Sequence, residues 1–376
     1  MLITPSELNG ELVAWSGKRS CNPESGCVFS MPGVSFAVSV RGCNSVQAFM
    51  SGGSGYFRVS AEDLPSGVFH AINDFCLESS VAQWVTLACD LNPETSYVIS
   101  VMKKTEAHIR SLLSTFLPVK VHSIRIDRGS FLALKSKDIY YPMGWLEVIG
   151  DSDACGFGVD GQISSSCNFL SMDASMEDVS KGWGCLLAEY LGLGRKAANI
   201  VAGSGLGLTR NAPLCGDDTV PMLWKKIHQE EEPKLAERPI AVVMLVGGND
   251  FYVNSNVDKS EFIFAMQQFV SDIRQARGKD VPIFIFQCHG CCTSSAGAPN
   301  LHPREDPAAL EISHKLVEFS REAVEKLHAD KKLYFSEIKV EMNLETDYAI
   351  MMHWSATGQQ KIAQEMCGFV QRKLSI

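Results

Sequence analysis

Four places in this sequence hold residues that could carry acyl transfer: Gly150-Asp151-Ser152, Gly203-Ser204-Gly205-Leu206-Gly207, Gly247-Gly248-Asn249-Asp250 and an isolated His353. A serine hydroxyl becomes a nucleophile only when a base accepts its proton, and His353 can be that base. Attack on an ester carbonyl creates an oxyanion that needs convergent donors. The backbone N–H of Ser152, that of Gly205 and the Asn249 side-chain amide would supply three. Glycine suits the second place because a side chain there would block the approaching carbonyl. Each signal alone is modest. Asp151 also reads as a turn cap, Asn249-Asp250 as a plain turn and a lone histidine as a structural residue. The glycine run lacks the Gly-Lys-Ser/Thr that a phosphate loop requires.

What makes the set specific is where the elements would place it. From about Gly144 the chain alternates strand and helix: strands at Leu146–Ile149, Ala198–Ala202, Ile240–Val246, Val281–Phe286 and Leu333–Ile338, and helices at Trp183–Leu191, Ser260–Arg277, Asp306–His328 and Thr357–Leu374. The near-continuous apolar run Ile240–Val246 suits a parallel strand buried on both faces. This alternation predicts a three-layer α/β/α sandwich around a parallel sheet. Ligands of such sheets bind beyond the carboxyl ends of the strands. Ser152, Gly205 and Asn249 follow the first three strands directly, and His353 follows the fifth after a loop.

The first ~140 residues read differently. Short alternating segments at Val34–Val40, Gly55–Val59, Trp84–Cys89, Tyr97–Met102 and Val119–Ile126 are separated by turn-forming stretches, with one helix-like interruption at Ala107–Thr115. Many short strands with turns between them predict a β-sandwich of the jelly-roll kind. The expected division is therefore 1–142 for a β-sandwich (jelly-roll) domain and 143–376 for the three-layer α/β/α domain that carries the four blocks.

Composition narrows the partners. The 376 residues carry 34 Lys plus Arg against 43 Asp plus Glu, a formal charge of −9, with no basic cluster. That argues against nucleic acid or an anionic membrane surface as partner. The longest apolar runs fall far short of the ~20 residues that span a bilayer. Met1–Gly10 has neither a basic start nor an apolar stretch, so no leader is read. The 13 cysteines are dispersed and odd in number, without zinc-type Cys/His spacing. Cys288, Cys291 and Cys292 around His289 form the tightest group, but no fourth ligand is in sight, so no metal is expected. Free, mostly buried thiols in a reducing compartment are expected, and any redox role of the Cys288 group stays open.

The four blocks together resemble those of the SGNH (GDSL-type) hydrolases, with Ser152, Gly205, Asn249 and His353 in the named places. The chain further resembles the bidomain acetyl esterases of carbohydrate esterase family two, which join a jelly roll to an SGNH domain. Glu147-Val148-Ile149-Gly150-Asp151-Ser152 with Cys155–Gly161, Ser204–Leu208 with Arg210-Asn211, Gly247–Phe251, and Lys103-Lys104-Thr105-Glu106-Ala107 carry that likeness. The resemblance implies a serine esterase without cofactor, acting on an acetylated sugar or polysaccharide. The bare residues imply only acyl transfer to water. A lipase- or thioesterase-like hydrolase on the same scaffold, and a carbohydrate-binding protein without turnover, are the alternatives.

One departure bears on mechanism. Members of the family commonly carry an Asp two residues before the His and a Pro after it, where this chain reads Met351-Met352-His353-Trp354. Loss of an orienting carboxylate can cost on the order of 10⁴ in rate in a triad built to use one. Three arrangements stay open: a backbone carbonyl orients the imidazole, Asp347 or Glu345 reaches in, or the enzyme is weak or dead. His302-Pro303 mimics the missing dipeptide before a different helix. Asp153, directly after the nucleophile, would disfavour anionic substrates or is simply a solvated loop residue. Among Trp183, Trp224 and Trp354, the last is the best candidate for a stacking platform against a pyranose ring, whereas Trp183 on a helix face reads as core.

Overall fold

The computed structural model describes residues 1–52, 55–64, 66, 69–77, 80–106, 118–162, 173–213, 215–229, 238–251, 257–288 and 307–375. The helix expected at Ala107–Thr115, the serine run Ser164-Ser165-Ser166, His289, Cys291, Cys292 and His302-Pro303 lie outside them.

Among the described residues, twelve strands occupy the first part of the chain: β1 (Leu2–Ile3), β2 (Val13–Ser16), β3 (Ser20–Asn22), β4 (Gly26–Phe29), β5 (Ser35–Arg41), β6 (Val46–Ser51), β7 (Gly55–Asp63), β8 (Phe69–Leu77), β9 (Gln83–Ala88), β10 (Ser96–Lys103), β11 (Val119–Ile126) and β12 (Ser130–Leu132). They form two antiparallel sheets. One runs β3-β4-β11-β6-β9 with β1 on β11, the other β12-β5-β10-β7-β8 with β2 on β5. Alternate residues such as Val13, Phe36, Val38, Ile99, Phe57 and Ile124 fill the space between the sheets. All five segments read as strands lie on β5, β7, β9, β10 and β11. The other seven were not read, mostly because they are two to four residues long or lack alternation. In β2 all four residues are buried.

That double burial has a cause. Ala14, Ala37 and Val98 point away from the sandwich interior and join a second cluster with Tyr140, Tyr141, Trp145 and Trp183. Small side chains on this outer sheet face let the rest of the chain pack closely on it. Polar contacts stitch the same seam: Tyr141 Oη donates to Ser16 Oγ (2.9 Å), Ser16 Oγ to the Lys196 carbonyl (3.0 Å) and the Val179 N–H to the Lys104 carbonyl (2.9 Å).

After a short helix α1 (Ser136–Tyr140) come β13 (Leu146–Gly150), α2 (Ser152–Cys155), α3 (Trp183–Tyr190), β14 (Ala198–Ala202), α4 (Val220–Gln229), β15 (Ala241–Met244), α5 (Lys259–Arg277), β16 (Ile283–Cys288), α6 (Pro307–Lys326), β17 (Leu333–Ile338) and α7 (Ala356–Leu374). The five strands form a parallel sheet in the order β14-β13-β15-β16-β17. Residues of α4, α5 and α6 share one apolar cluster with this sheet, and those of α3 and α7 share the other. Every residue of β13 to β16 is buried, which accounts for the near-continuous apolar run read at Ile240–Val246. Helix α4 escaped the sequence reading.

The order places β14 on one side of β13 and β15 on the other, so the chain reverses its direction of growth there. Such a reversal opens a crevice at the carboxyl ends. Ser152 and Asn249 emerge at that point.

The expectation of free thiols throughout needs correcting. Cys21 and Cys27 face each other across the β3–β4 hairpin and form a disulfide. Cys43, Cys155, Cys185 and Cys367 are free and buried. Among the described residues no group of His, Cys, Asp and Glu is arranged to hold a metal, and no helix is long and apolar enough to cross a membrane.

Candidate active site

Strand β13 is the foundation. Glu147 is wholly buried within it, and Arg277 of α5 grips both carboxylate oxygens (2.7 and 2.7 Å) while Trp224 Nε1 donates to one (3.1 Å). Burial pushes this carboxyl up, but Arg277 more than offsets it and holds the group below its ordinary range. The strand ends at Gly150, where a methyl group would collide with Ala154. Asp151 then caps the single turn of α2 through the Asp153 N–H (3.4 Å). Ser152 opens that turn with 7% of its surface exposed.

His353 arrives by a different route. Tyr348 and Trp354 pair as an isolated antiparallel bridge, and between them the chain makes a tight turn closed by Ala349 N–H on the His353 carbonyl (2.7 Å) and His353 N–H on the Ile350 carbonyl (3.1 Å). Met351 and Met352 take φ of 53° and 63°, the left-handed region that costs an ordinary side chain roughly 1–2 kcal/mol. Ile350, inside the turn, seats against Gly158, where any Cβ would strike it. The result is a directed imidazole: Nε2 lies 2.8 Å from Ser152 Oγ and Nδ1 lies 3.3 Å from the Ile350 carbonyl. Phe157 packs its ring 4.6 Å from the imidazole centre. Burial lowers the His353 pKa to about 4, with the Ile350 and Met351 carbonyls working in the opposite direction.

The two candidate acids are elsewhere. Asp347 is buried, but its carboxylate accepts from the Asn343 N–H (2.6 Å), Thr346 Oγ1 (3.1 Å) and Lys361 Nζ (2.6 Å). It anchors the start of the histidine loop and does not orient the ring. Burial opposes its ionisation, yet these donors keep its pKa below the usual carboxylate range. Glu345 is exposed.

Trp354 also differs from expectation. It is 1% exposed, so its ring is core and not a surface platform. The bridge to Tyr348 turns its side chain inward. Trp183 and Trp224 are buried too. Asp153 is not a solvated loop residue either: its carboxylate accepts from the Trp354 N–H (3.3 Å) and the Gln359 amide (3.5 Å). The residue after Ser152 thereby tethers the backbone after His353.

The glycine loop following β14 is organised by residues that sequence reasoning left without a role. Buried Asp250 collects the N–H groups of Leu208 (2.6 Å), Thr209 (2.7 Å) and Arg210 (3.2 Å) and the Thr209 hydroxyl (2.6 Å). Gly205 has φ of 76°, and a Cβ there would run into Cys215 Sγ, so the loop path demands glycine. Asn249 reaches between the two loops, donating to Asp151 Oδ2 (3.1 Å) and to the Leu206 carbonyl (3.0 Å). Both hydrogens of its amide thus have partners in the free protein, and an oxyanion would have to share one of them. From the sandwich side, Glu106 beyond β10 accepts the Ser204 N–H (2.6 Å).

No protein-family profile matches the chain. It is 24% identical, over an alignment of 378 positions that covers 99% of its length, to a cellulase/esterase, CelE, of Acetivibrio thermocellus, and spans only 40% of that protein. Among solved structures, a family two carbohydrate esterase from Clostridium thermocellum in complex with cellohexaose superposes with a TM-score of 0.74 at 20% identity, over 96% of this chain and 99% of the other. A family two esterase from Cellvibrio japonicus gives 0.73 at 17% identity, over 100% and 98%. A family two enzyme of Corynascus thermopiles with a carbohydrate-binding domain gives 0.73 at 20%, over 97% and 100%. The chain shares the two-part fold of these esterases over nearly its whole length.

Proposed function

We propose that this protein is a serine esterase that releases acetyl groups from acetylated carbohydrate. The observation that carries the reading is the 2.8 Å approach of His353 Nε2 to Ser152 Oγ at the sheet's point of reversal. The fold shared with carbohydrate esterases supports the sugar as the alcohol part of the substrate. In the proposed reaction Ser152 Oγ attacks the acetyl carbonyl as His353 takes its proton. With a pKa near 4, the imidazole is neutral and able to accept at neutral pH. The Ser152 and Gly205 N–H groups and the Asn249 amide receive the oxyanion. Protonated His353 gives its proton to the sugar oxygen, the acetyl-enzyme forms, and water cleaves it with the roles reversed. The Ile350 carbonyl fixes the tautomer with Nδ1 protonated, the work an Asp does in a triad, but contributes a dipole in place of a full charge. No residue of the scheme calls for a metal or an organic cofactor.

The test is acetate release from p-nitrophenyl acetate and from acetylated xylo- and manno-oligosaccharides, with Ser152→Ala and His353→Ala as comparisons. Turnover that disappears in both variants is expected. Equal residual rates in all three proteins would sink the esterase reading. Activity that rises with acyl-chain length would move it to a lipid or thioester hydrolase.

A further inference from the structure

Resting on that reading, we infer that Glu106, contributed by the β-sandwich, is a positioning residue of the oxyanion site that acts through the Ser204 peptide. Glu106 lies at the exit of β10 and is 2% exposed. Its Oε2 accepts the Ser204 N–H at 2.6 Å and faces Cys155 Sγ at 3.6 Å. One carboxylate therefore touches both pieces of chain that frame the proposed reaction: the residue before Gly205, and the last residue of the turn that Ser152 opens. Among the described residues no donor bonds Oε1 of this carboxylate.

The backbone that carries this carboxylate is itself clamped. The Glu106 N–H donates to Glu177 Oε1 (2.5 Å), and the buried Lys103 ammonium bonds the Thr105 carbonyl. Lys104 Nζ bonds Asp74 (2.8 Å), and the Lys104 carbonyl accepts the Val179 N–H (2.9 Å). A glutamate buried this deeply and fixed this firmly costs more than a neutral side chain of the same shape. The feature it supplies is a fixed acceptor for one N–H. By holding the peptide between Gly203 and Ser204 in one orientation, it sets the plane of the next peptide, whose N–H belongs to Gly205. Gly205 itself has φ of 76°, and Cys215 Sγ lies where a Cβ would stand, so no side chain can stand beside that N–H.

Reach and charge can be separated. Glu106→Gln keeps the length and a carbonyl acceptor for Ser204 but removes the charge. Glu106→Asp keeps the charge but withdraws it by one methylene. A positioning role predicts that Asp is the worse variant: kcat for acetyl esters falls roughly 10–100-fold, short of the ~10²–10³ lost when an oxyanion donor is itself removed, while KM stays within about 2-fold. Gln should retain kcat within about 5-fold, because a neutral acceptor keeps about half the strength of a charged one. Phosphorylation of Ser152 by diethyl p-nitrophenyl phosphate should slow in the same order, and it reports on the site whatever ester is the natural substrate. In an Asn249→Ala background the Asp effect should shrink, since both changes weaken the same oxyanion site. The opposite order, Gln worse than Asp in kcat and in Tm, would assign Glu106 to charge balance with Lys103 and overturn the inference. So would unchanged kcat in both. A wild type that hydrolyses acetyl esters while both variants match it refutes only the role of Glu106. A wild type that neither turns over esters nor reacts with the organophosphate removes the esterase reading and this inference together.

Discussion

Ser152 leaves the end of a central parallel strand in which every residue is buried and both edges are paired. His353 sits in a turn held by one isolated bridge and two left-handed methionines. The proposed nucleophile is thus placed by regular structure, and the proposed base by a local exception to it. Strain of this kind persists only where surroundings over-determine it. Here the surroundings are Ile350 pressed on Gly158, Asp347 bound to Lys361, and the Trp354 N–H bound to Asp153. The contrast teaches that precision can be built from above or below. A sheet dictates the nucleophile's position, whereas a set of separate tethers dictates the base's.

Four experiments break or sharpen the contrast. The largest effect is expected at the meeting point. Ser152→Ala and His353→Ala should each lower kcat/KM for acetyl esters by about 10⁴-fold or more, and the double variant should be no worse than the single ones, since the pair acts as a unit. Next comes the foundation of the nucleophile strand. Arg277→Ala leaves the buried Glu147 carboxylate without its cation and should cost about 3–5 kcal/mol in denaturant unfolding. The equivalent cut on the histidine side, Asp347→Asn, removes the carboxylate partner of a half-exposed lysine and should cost about 1–2 kcal/mol.

The third concerns pH. His353 must be neutral to act as base, and its pKa is lowered to about 4 from the ordinary 6.5. The acid limb of kcat/KM should therefore fall near pH 4, and activity should be flat through pH 6. Folding follows a different window. Because the folded pKa lies below the unfolded one, the folded state loses stability as pH falls through 6.5 toward 4, where only the unfolded imidazole takes up a proton. Met351→Asp tests the cause: a carboxylate two residues before the base would raise the imidazole pKa, and the limb should move upward. Asp also accepts a positive φ more readily than Met. A limb at pH 6.5 in the wild type would contradict the burial argument. The smallest effect is expected for Asp347→Asn on catalysis: less than about 10-fold in kcat, against the ~10⁴ that a triad carboxylate commands. A loss of that larger size would return Asp347 to the mechanism.

How far the sequence reveals all this follows the same division. The parallel sheet is legible because strands buried on both faces are largely apolar, as in Ala241–Met244 and, but for Gln287, Ile283–Cys288. The blocks after those strands are legible for the same reason, since topology carries them to one edge. The small strands β1 to β4 are not, because two to four residues hold no period. Trp354 misleads because nothing local reveals the Tyr348 bridge that turns its ring inward. The group facing His353 Nδ1 is a main-chain carbonyl, which leaves no mark on residue identity. Asp250, Asp153 and Glu106 act on groups 40 to 206 positions away or on backbone amides. Their types are visible and their partners are not.

The alanine-bearing face of the second sandwich sheet has a consequence for how such proteins can be taken apart. Ala14 and Ala37 leave room for Tyr140, Tyr141 and Trp145, while Trp15 N–H bonds Ser136 Oγ (2.8 Å) and Gly17 N–H bonds Tyr141 Oη (3.0 Å). The segment where a cut would be drawn is thus glued to the front of the chain. The two halves are not interchangeable cassettes. A sandwich borrowed from another protein, with ordinary bulky or charged residues on that outer face, would lift away from the aromatic seam and take Glu106 with it. The back half, expressed alone, would carry an uncovered aromatic patch to water and should self-associate.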